Sequence, residues 1–305
     1  MEQNPFFSEI VVGKYVNKRK LRSRCYEGIP DEHRVVAYKL LLGVYETDTT
    51  LFQEIDENNL NLYKMSLASN TDYYSEEYFT SQNGLYVSYQ ISTSVIHQIF
   101  IDIRRIDLKH RIINGVDLSY VYMNVLVMTA ARRPYLEYVQ GMCDLVVPFL
   151  VLIFDDNSNS MQKESDVFAC FDKLLDRIQH NIISMQETPI EQTKNKLRRT
   201  DRKLYRHFKR IDLNLHFITF RWFNCLFVRE FDLRTLLRLF DSMLSADTDI
   251  FLVNFAVTLL ISCRNSLLEK DFSEAVSYIQ NIGKSDIGVL EILRNSVLLD
   301  IDQNM

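Results

Sequence analysis

The chain has 305 residues, of which 47% are hydrophobic, and its formal net charge is -5. This length corresponds to one large domain or two lobes, and it allows about three-quarters of the surface of the unfolded chain to be buried. The negative net charge argues against nucleic-acid binding driven by the charge of the whole protein.

Cysteine usage and hydropathy indicate the cellular compartment of the protein. The five cysteines are widely spaced and form no CxxC pair, which is typical of reduced core thiols in a cytoplasmic protein. The first residues lack the basic region of a secretory signal, and the longest apolar run, Leu145–Phe154, is too short to span a bilayer. We therefore expect a cytoplasmic protein that meets intracellular membranes only peripherally, through a partner or through basic patches.

The first motif, Gly28–Gly43, has the signals of a helix. Pro30 suits the first helical position, and Asp31 and Glu32 suit the positive end of a helix. Gly43 is placed to end the element. With eight glycines and five prolines in the whole chain, we expect a mostly helical protein. A structural role is the expectation for this motif.

Residues 46–83 are acidic, with tyrosines interleaved among the carboxylates. This composition predicts a short helix and a solvated surface connection, with a partner-binding segment as the alternative. Residues 85–92 resemble a strand in their alternation, but we interpret them as the approach to the next helix.

The segment from Ile96 to Asp107 predicts an amphipathic helix that ends in two arginines. Asp102 precedes Arg105 by three residues, so its carboxylate can steady that side chain on one helix face. An arginine fixed near a helix end can offer its planar guanidinium to a phosphate. The alternative is an ordinary surface ion pair.

A second polar feature stands in front of the apolar run. Gln140 is followed by Gly141, which lets the backbone turn or approach another group closely, and by Asp144, a candidate cap or first-turn acid. Gln140 should therefore lie at the edge of a buried helix with its amide facing outward. It either belongs to a site or only hydrogen-bonds a neighbouring loop. A strongly apolar helix, predicted over 120–131, precedes it.

The C-terminal half repeats the helical period of apolar residues and carries a basic run. Apolar residues recur every three or four positions in 167–178, 204–211 and 233–244. Residues 194–210 contain nine basic residues in seventeen positions, and 18–24 form a second basic run. Solvated helix faces are the simplest interpretation, and contact with acidic lipids or a protein surface is the alternative.

The order of these motifs resembles the TBC-domain family, the GTPase-activating proteins of Rab-type small GTPases. Five stretches between about Tyr26 and Gln280 carry the likeness. They are Gly28–Arg34 with Lys39–Gly43, the Ile99-x-x-Asp102-x-x-Arg105 pattern, Tyr138-Val139-Gln140-Gly141-Met142, Phe220–Phe231, and Leu239-Phe240-Asp241. Ile106, Asp107 and Leu108 depart from the family pattern after the arginine, and Arg104 adds a second guanidinium.

The resemblance implies an all-α, two-lobed architecture and a role in vesicle trafficking. The first lobe, residues 1–154, would carry Arg105 as an arginine finger and Gln140 as a glutamine finger. Asp102, Tyr138 and Gly141 would support them. The second lobe, residues 155–305, would buttress the first and help to bind the GTPase.

The resemblance also implies that the partner is a Rab-family GTPase in its GTP-bound state. The chain would need no cofactor or metal of its own, because GTP and Mg²⁺ arrive with the GTPase. The sequence has no phosphate loop and no metal-ligand cluster, and its six histidines are scattered. The alternative function is a catalytically inactive scaffold or effector that binds a Rab protein.

Overall fold

The computed structural model describes residues 13–70, 91–136, 138–155, 160–183, 188–284 and 288–301. Regular structure in these ranges is almost all helical, which confirms the predicted all-α class. The helices are α1 (Lys18–Tyr26), α2 (Asp31–Leu42), α3 (Phe52–Asn70), α4 (Thr93–Arg105), α5 (Leu108–Arg111), α6 (Ser119–Arg132), α7 (Val147–Ile153), α8 (Met161–Ile183), α9 (Thr188–Thr200), α10 (Arg202–Arg210), α11 (Leu215–Asn224), α12 (Leu233–Ser245), α13 (Thr248–Ser262), α14 (Arg264–Leu268), α15 (Phe272–Gln280) and α16 (Val289–Ile301). Short 3₁₀ turns cover Thr49–Leu51, Met142–Val146 and Ile282–Lys284.

One small β-ribbon interrupts the helices. Strands β1 (Ile112–Ile113) and β2 (Val116–Asp117) pair antiparallel, and Asn114 and Gly115 at the turn have φ of 51° and 82°. Two consecutive positive φ angles are those of a type I′ turn, which Asn-Gly favours. This ribbon was not predicted, although its Asn-Gly pair between β-branched residues is a hairpin signal.

The chain forms two compact units, one of residues 1–18 and 31–176, the other of residues 19–30 and 177–305. The sequence suggested two lobes, residues 1–154 and 155–305, and this division remains a prediction. The described candidate site residues all fall in the first unit.

Helix α6 forms the core of the first unit. Ser119 and all residues from Val121 to Thr129 are buried, and the helix contacts α3, α4 and the Met142–Val146 turn. A helix that is enclosed on every side needs apolar residues all round, and the predicted helix over 120–131 has them. This central helix holds in place the elements that carry the candidate site.

Helix α13 forms the core of the second unit. Its residues from Phe251 to Leu260 are buried, and it contacts α9, α11, α12, α14 and α16.

Helix α12 carries two buried residues of the motif Leu239-Phe240-Asp241. The Phe240 side chain is fully buried, and the Asp241 carboxylate accepts a hydrogen bond of 2.9 Å from the backbone N–H of Ile29.

All five cysteines are free and buried, as expected for reduced core thiols. Burial raises the pKa of Cys25 and of Cys170 to about 12, with the nearby Asp241 carboxylate adding to the effect at Cys25. These thiols therefore remain protonated and pack as small apolar groups.

The first motif folds as its sequence predicts, with one shift. Helix α2 begins at Asp31, one residue after the predicted start at Pro30, and Asp31 and Glu32 occupy its first turn. Gly43 follows the helix with φ of 81°, the left-handed conformation that ends helices.

Residues 46–83 differ from the prediction in helix length. The expected short helix is α3, which has 19 residues and follows the 3₁₀ turn Thr49–Leu51. Residues 71–83 lie outside the described residues, as do residues 85–90 of the expected approach to the next helix. Asp56, expected on a solvated surface, instead accepts hydrogen bonds from Lys39 Nζ (3.0 Å) and from the Tyr45 hydroxyl (2.6 Å).

The basic run 194–210 forms two helices and not one continuous face. Asp201 ends α9 and starts α10, because its carboxylate accepts hydrogen bonds from the N–H groups of Lys203 and Leu204. Lys196 is also buried, where it hydrogen-bonds the side chain of Asn254. The other basic run lies in α1, which buries Leu21 and Cys25 on one side.

Candidate functional site

The buried carboxylate of Asp102 is the centre of the site. Helix α4 begins at the cap Ser92, and its apolar face buries Ile96, Ile99 and Ile103, which fixes the helix on the core. Asp102 lies beside that face with only 1% of its surface exposed. A charged group this deeply buried requires several hydrogen-bond donors around it.

Four donors satisfy this carboxylate. Oδ2 accepts hydrogen bonds from the Gly141 N–H at 3.0 Å and from the Tyr138 hydroxyl at 3.1 Å. Oδ1 accepts one from Gln98 Nε2 at 3.3 Å and lies 3.5 Å from Nη1 of Arg105. Asp102 therefore joins the end of α4 to the segment that contains Gln140.

The two arginines at the end of α4 have different partners. Arg105, whose side chain is 54% exposed, is paired with Asp102, whereas the guanidinium of Arg104 lies 4.3 Å from the ring centroid of Phe100. The Asp102–Arg105 pairing predicted from their spacing is confirmed. Arg105 is therefore the arginine whose guanidinium is held through Nη1 by a buried carboxylate, while about half of its side chain remains exposed.

The chain after Arg105 follows a defined path. Ile106 is buried and Asp107 caps α5, its carboxylate accepting a hydrogen bond from the Lys109 N–H at 3.2 Å. Leu108 is exposed. The departures from the family pattern thus start a new helical turn directly after the arginine.

Gln140 is exposed at the start of the buried apolar run, as the sequence predicts. The next residue, Gly141, has φ of 99°, and its N–H reaches Asp102. A left-handed backbone conformation favours glycine, which gives this residue its role in turning the chain. Of the two roles expected for Asp144, cap or first-turn acid, it takes the second, because it lies in the first turn of the 3₁₀ element Met142–Val146 and caps no N–H of α7. It is buried in the intervening 3₁₀ turn, and α7 has no side-chain cap.

The Tyr138 hydroxyl is held in its neutral, donating form. Burial raises its pKa well above the ordinary value, and the neighbouring Cys143 thiol and Asp102 carboxylate raise it further. A protonated phenol can donate to Asp102 at every physiological pH, so this link does not depend on pH.

His110 lies in α5, a few residues beyond Arg105. Burial lowers its pKa, and the charge of Lys109 lowers it further, while Asp107 and Asp144 oppose the shift. Its Nε2 has no hydrogen-bond partner among the described residues. The imidazole is therefore neutral near pH 7.

An additional anchor that the sequence analysis missed holds the start of the Gln140 segment. Arg133 is buried, and its Nε and Nη2 donate to the Asp172 side chain (2.8 Å) and backbone carbonyl (2.9 Å). Nη2 also donates to Asp176 at 2.7 Å. A basic residue before Pro134 gives no sequence signal for such an anchor, because its partners lie about forty positions further along the chain.

The site as described contains no group suited to a metal. Histidine, cysteine and carboxylate side chains in the described ranges form no cluster of three or more that could hold an ion.

Within the described ranges, every helix falls short of the length and apolar character that crossing a bilayer requires.

Comparison with known proteins places these motifs in a family. The Rab-GTPase-TBC domain family matches residues 31–268. The chain is 26% identical to GTPase-activating protein gyp1 of Schizosaccharomyces pombe, over 96% of this chain and 60% of that protein. It is 31% identical to GTPase-activating protein GYP1 of Saccharomyces cerevisiae, over 75% of this chain and 38% of that protein. The chain thus spans about half the length of these two relatives.

Structural comparison gives the same assignment. The crystal structure of the Ypt/Rab-GAP domain of Gyp1p superposes with a TM-score of 0.82 and 27% identity, over 97% of each chain. The helical TBC architecture expected from the motifs is therefore confirmed. With the Asp102 cluster joining the two expected motifs, and with a family match over most of its length, this chain belongs to the Rab-GTPase-TBC domain family.

Proposed function

We propose that this chain accelerates GTP hydrolysis by a Rab-type small GTPase, with Arg105 and Gln140 entering the nucleotide site of the partner. The observation that carries the proposal is that one buried carboxylate, Asp102, contacts both Arg105 and the residue next to Gln140. The related yeast proteins named above are GTPase-activating proteins by name, which supports the same activity.

Arg105 would stabilise charge in the transition state. Negative charge spreads over the oxygens of the γ-phosphoryl group as it leaves, and a guanidinium placed there by another protein typically adds about 10³–10⁵ in rate. That factor corresponds to roughly 4–7 kcal/mol of barrier. Arg105 suits this role because Asp102 holds its guanidinium through Nη1 while half of its side chain remains exposed.

Gln140 would orient the attacking water. An amide both donates and accepts hydrogen bonds, so it can hold a water in line with the γ-phosphate while it contacts the GTPase backbone. In this mechanism it acts in place of the catalytic glutamine of the GTPase. Its exposed position, directly before a backbone N–H bound to Asp102, supports such a role.

The partner would supply the rest of the chemistry. GTP and Mg²⁺ would arrive bound to the GTPase, which must be in the GTP-bound state, and this chain would contribute no cofactor. Such a partner would place the activity on the cytoplasmic side of intracellular membranes, in vesicle trafficking.

Single-turnover phosphate release from a panel of GTP-loaded Rab proteins tests the proposal. We expect at least one member to hydrolyse GTP faster in the presence of this chain. Arg105→Ala should remove most of the stimulation, while the matched control Arg104→Ala should retain most of it. Normal binding without stimulation would identify a non-catalytic scaffold, and a larger loss in Arg104→Ala would show that the wrong arginine is assigned.

The role of Gln140 is tested with a Rab protein whose own catalytic glutamine is replaced by alanine. This mutant GTPase should still respond to the unmodified chain, because Gln140 supplies the missing amide. It should stop responding to Gln140→Ala. Complete loss of stimulation with the mutant GTPase and the unmodified chain, despite normal binding, would refute the two-residue mechanism.

A further inference from the structure

Helix α10 exposes a dense row of positive charge. Leu204, His207 and Phe208 are buried on its inner side. The opposite side carries five exposed cations at helical spacing in a helix of nine residues, namely Arg202, Lys203, Arg206, Lys209 and Arg210. Every exposed residue of α10 is therefore a cation.

The five cations have no ion pair with any carboxylate of the described residues. Asp201 is the one acidic residue between positions 198 and 211, and its carboxylate already caps α10 and pairs with Arg264 Nε at 2.5 Å. Lys209 instead lies over the ring of Tyr205 at 5.4 Å, and Arg210 contacts His207 Nδ1 at 2.8 Å. Neither of these partners neutralises a charge.

Exposed aromatic side chains follow directly after this helix. On α11, Phe217 is 76% exposed, and the half-exposed Phe220 stacks against His216 with centroids 5.5 Å apart. The chain between the helices is tight, since the Leu213 N–H donates to the Phe208 carbonyl at 2.8 Å. Phe217 lies about one helical turn beyond Leu213, so the aromatic residues begin close to the end of α10.

We propose that α10 and the exposed aromatic face of α11 form a peripheral binding surface for an anionic lipid bilayer. Charge complementarity identifies the occupant, because clusters of four to eight Lys or Arg on an amphipathic helix bind acidic headgroups. An acidic protein would satisfy the cations equally well, but it would leave an exposed Phe217 unexplained. Aromatic side chains beside a basic face are typical of segments that lie in the membrane interface.

Co-sedimentation with vesicles tests the surface directly. The chain should bind vesicles of equimolar phosphatidylcholine and phosphatidylserine, should bind phosphatidylcholine alone far more weakly, and should be released by salt. Each cation near an anionic surface contributes about fivefold to partitioning, so Arg202→Ala with Arg206→Ala should reduce it about 25-fold. Phe217→Ser should weaken binding by about tenfold while leaving the charge unchanged.

A matched control uses the other basic run. Arg19→Ala with Arg22→Ala removes the same charge from exposed positions of α1 and should leave vesicle binding within a few fold of the unmodified chain. Equal losses in the two double variants would show general electrostatic attraction and overturn the assignment to α10. Equal binding to neutral and acidic vesicles would also overturn it.

A third measurement separates a membrane surface from a GTPase contact. Phosphate release with a soluble Rab protein and no vesicles should be the same for the α10 double variant and for the unmodified chain. If the variant loses stimulation in solution, α10 is a protein interface and the membrane proposal is wrong. Vesicle binding is measured without a GTPase, so its result tests the membrane proposal separately from the proposed GTPase-activating function.

Discussion

Replacing Asp102 with asparagine should separate the activity from the fold. The asparagine oxygen can occupy the position of Oδ2 and keep the hydrogen bonds from Gly141 and Tyr138. Its amino group then takes the position of Oδ1, where it faces the two donors Gln98 and Arg105. Gln98 can rotate its amide to accept a hydrogen bond, but a guanidinium cannot accept one, so Arg105 loses its partner.

Asp102→Asn should affect the free energy of unfolding and the rate of GTP hydrolysis in different ways. Hydrogen bonds to a charged acceptor contribute about 1 kcal/mol more than neutral ones, so weakening two of them costs about 2 kcal/mol of stability. The pair with the half-exposed Arg105 adds less than about 1 kcal/mol, because solvent screens it. For the reaction, Arg105 must now be ordered from a free side chain, which costs about 2 kcal/mol and corresponds to roughly 30-fold in rate.

Single-turnover phosphate release and urea unfolding measure the two effects separately. The Asp102→Asn protein should remain folded, with a modest fall in the urea midpoint of unfolding. Its stimulation of GTP hydrolysis should fall by roughly 30-fold. Gln98→Ala is the matched control, since it removes the other donor to Oδ1 and should leave the rate close to that of the unmodified chain. A wild-type rate in Asp102→Asn would refute the argument that this carboxylate positions Arg105.

Three further results are expected. Arg105→Lys should lose most stimulation, because an ammonium lacks the planar fork of a guanidinium, and phosphate release checks this. Phe240→Ala should reduce the free energy of unfolding by about 3–5 kcal/mol, since Phe240 is fully buried, and an unchanged melting temperature would contradict it. His110 has a lowered pKa when folded, so below its ordinary value of 6.5 the unfolded chain takes up the proton first and stability falls with falling pH. His110→Gln should therefore show a shallower fall in the urea midpoint over that range than the unmodified chain.

The helical fold could be predicted because its signals are local. Apolar spacing and caps identified α2, α4, α6 and α12 with small errors at their ends. The division of the basic run at Asp201 was missed, since an aspartate inside a helical pattern becomes a cap only when the chain can turn there. The β-ribbon was missed because two-residue strands show almost no alternation, which left its Asn-Gly turn as the main signal.

The site could be predicted only in part, for a related reason. Asp102 and Arg105 are three residues apart, so helix geometry alone places them together. The hydrogen bond from the Gly141 N–H to Asp102 spans 39 positions, and the likeness to a known family was the main indication that the two motifs meet. The Arg133 anchor had neither kind of signal.

The placement of these residues also explains why chemistry and stability can be altered separately. Arg105 and Gln140 are exposed, so their replacement removes little packing and should cost within about 0.5 kcal/mol of stability. Asp102, in contrast, is buried among four donors, and its truncation to alanine would leave those donors without an acceptor. Since each unsatisfied buried donor costs about 1–3 kcal/mol, Asp102→Ala should lower both stability and rate. The residues proposed to meet the nucleotide can therefore be replaced at little cost in stability, whereas truncation of the carboxylate that positions them lowers stability and rate together.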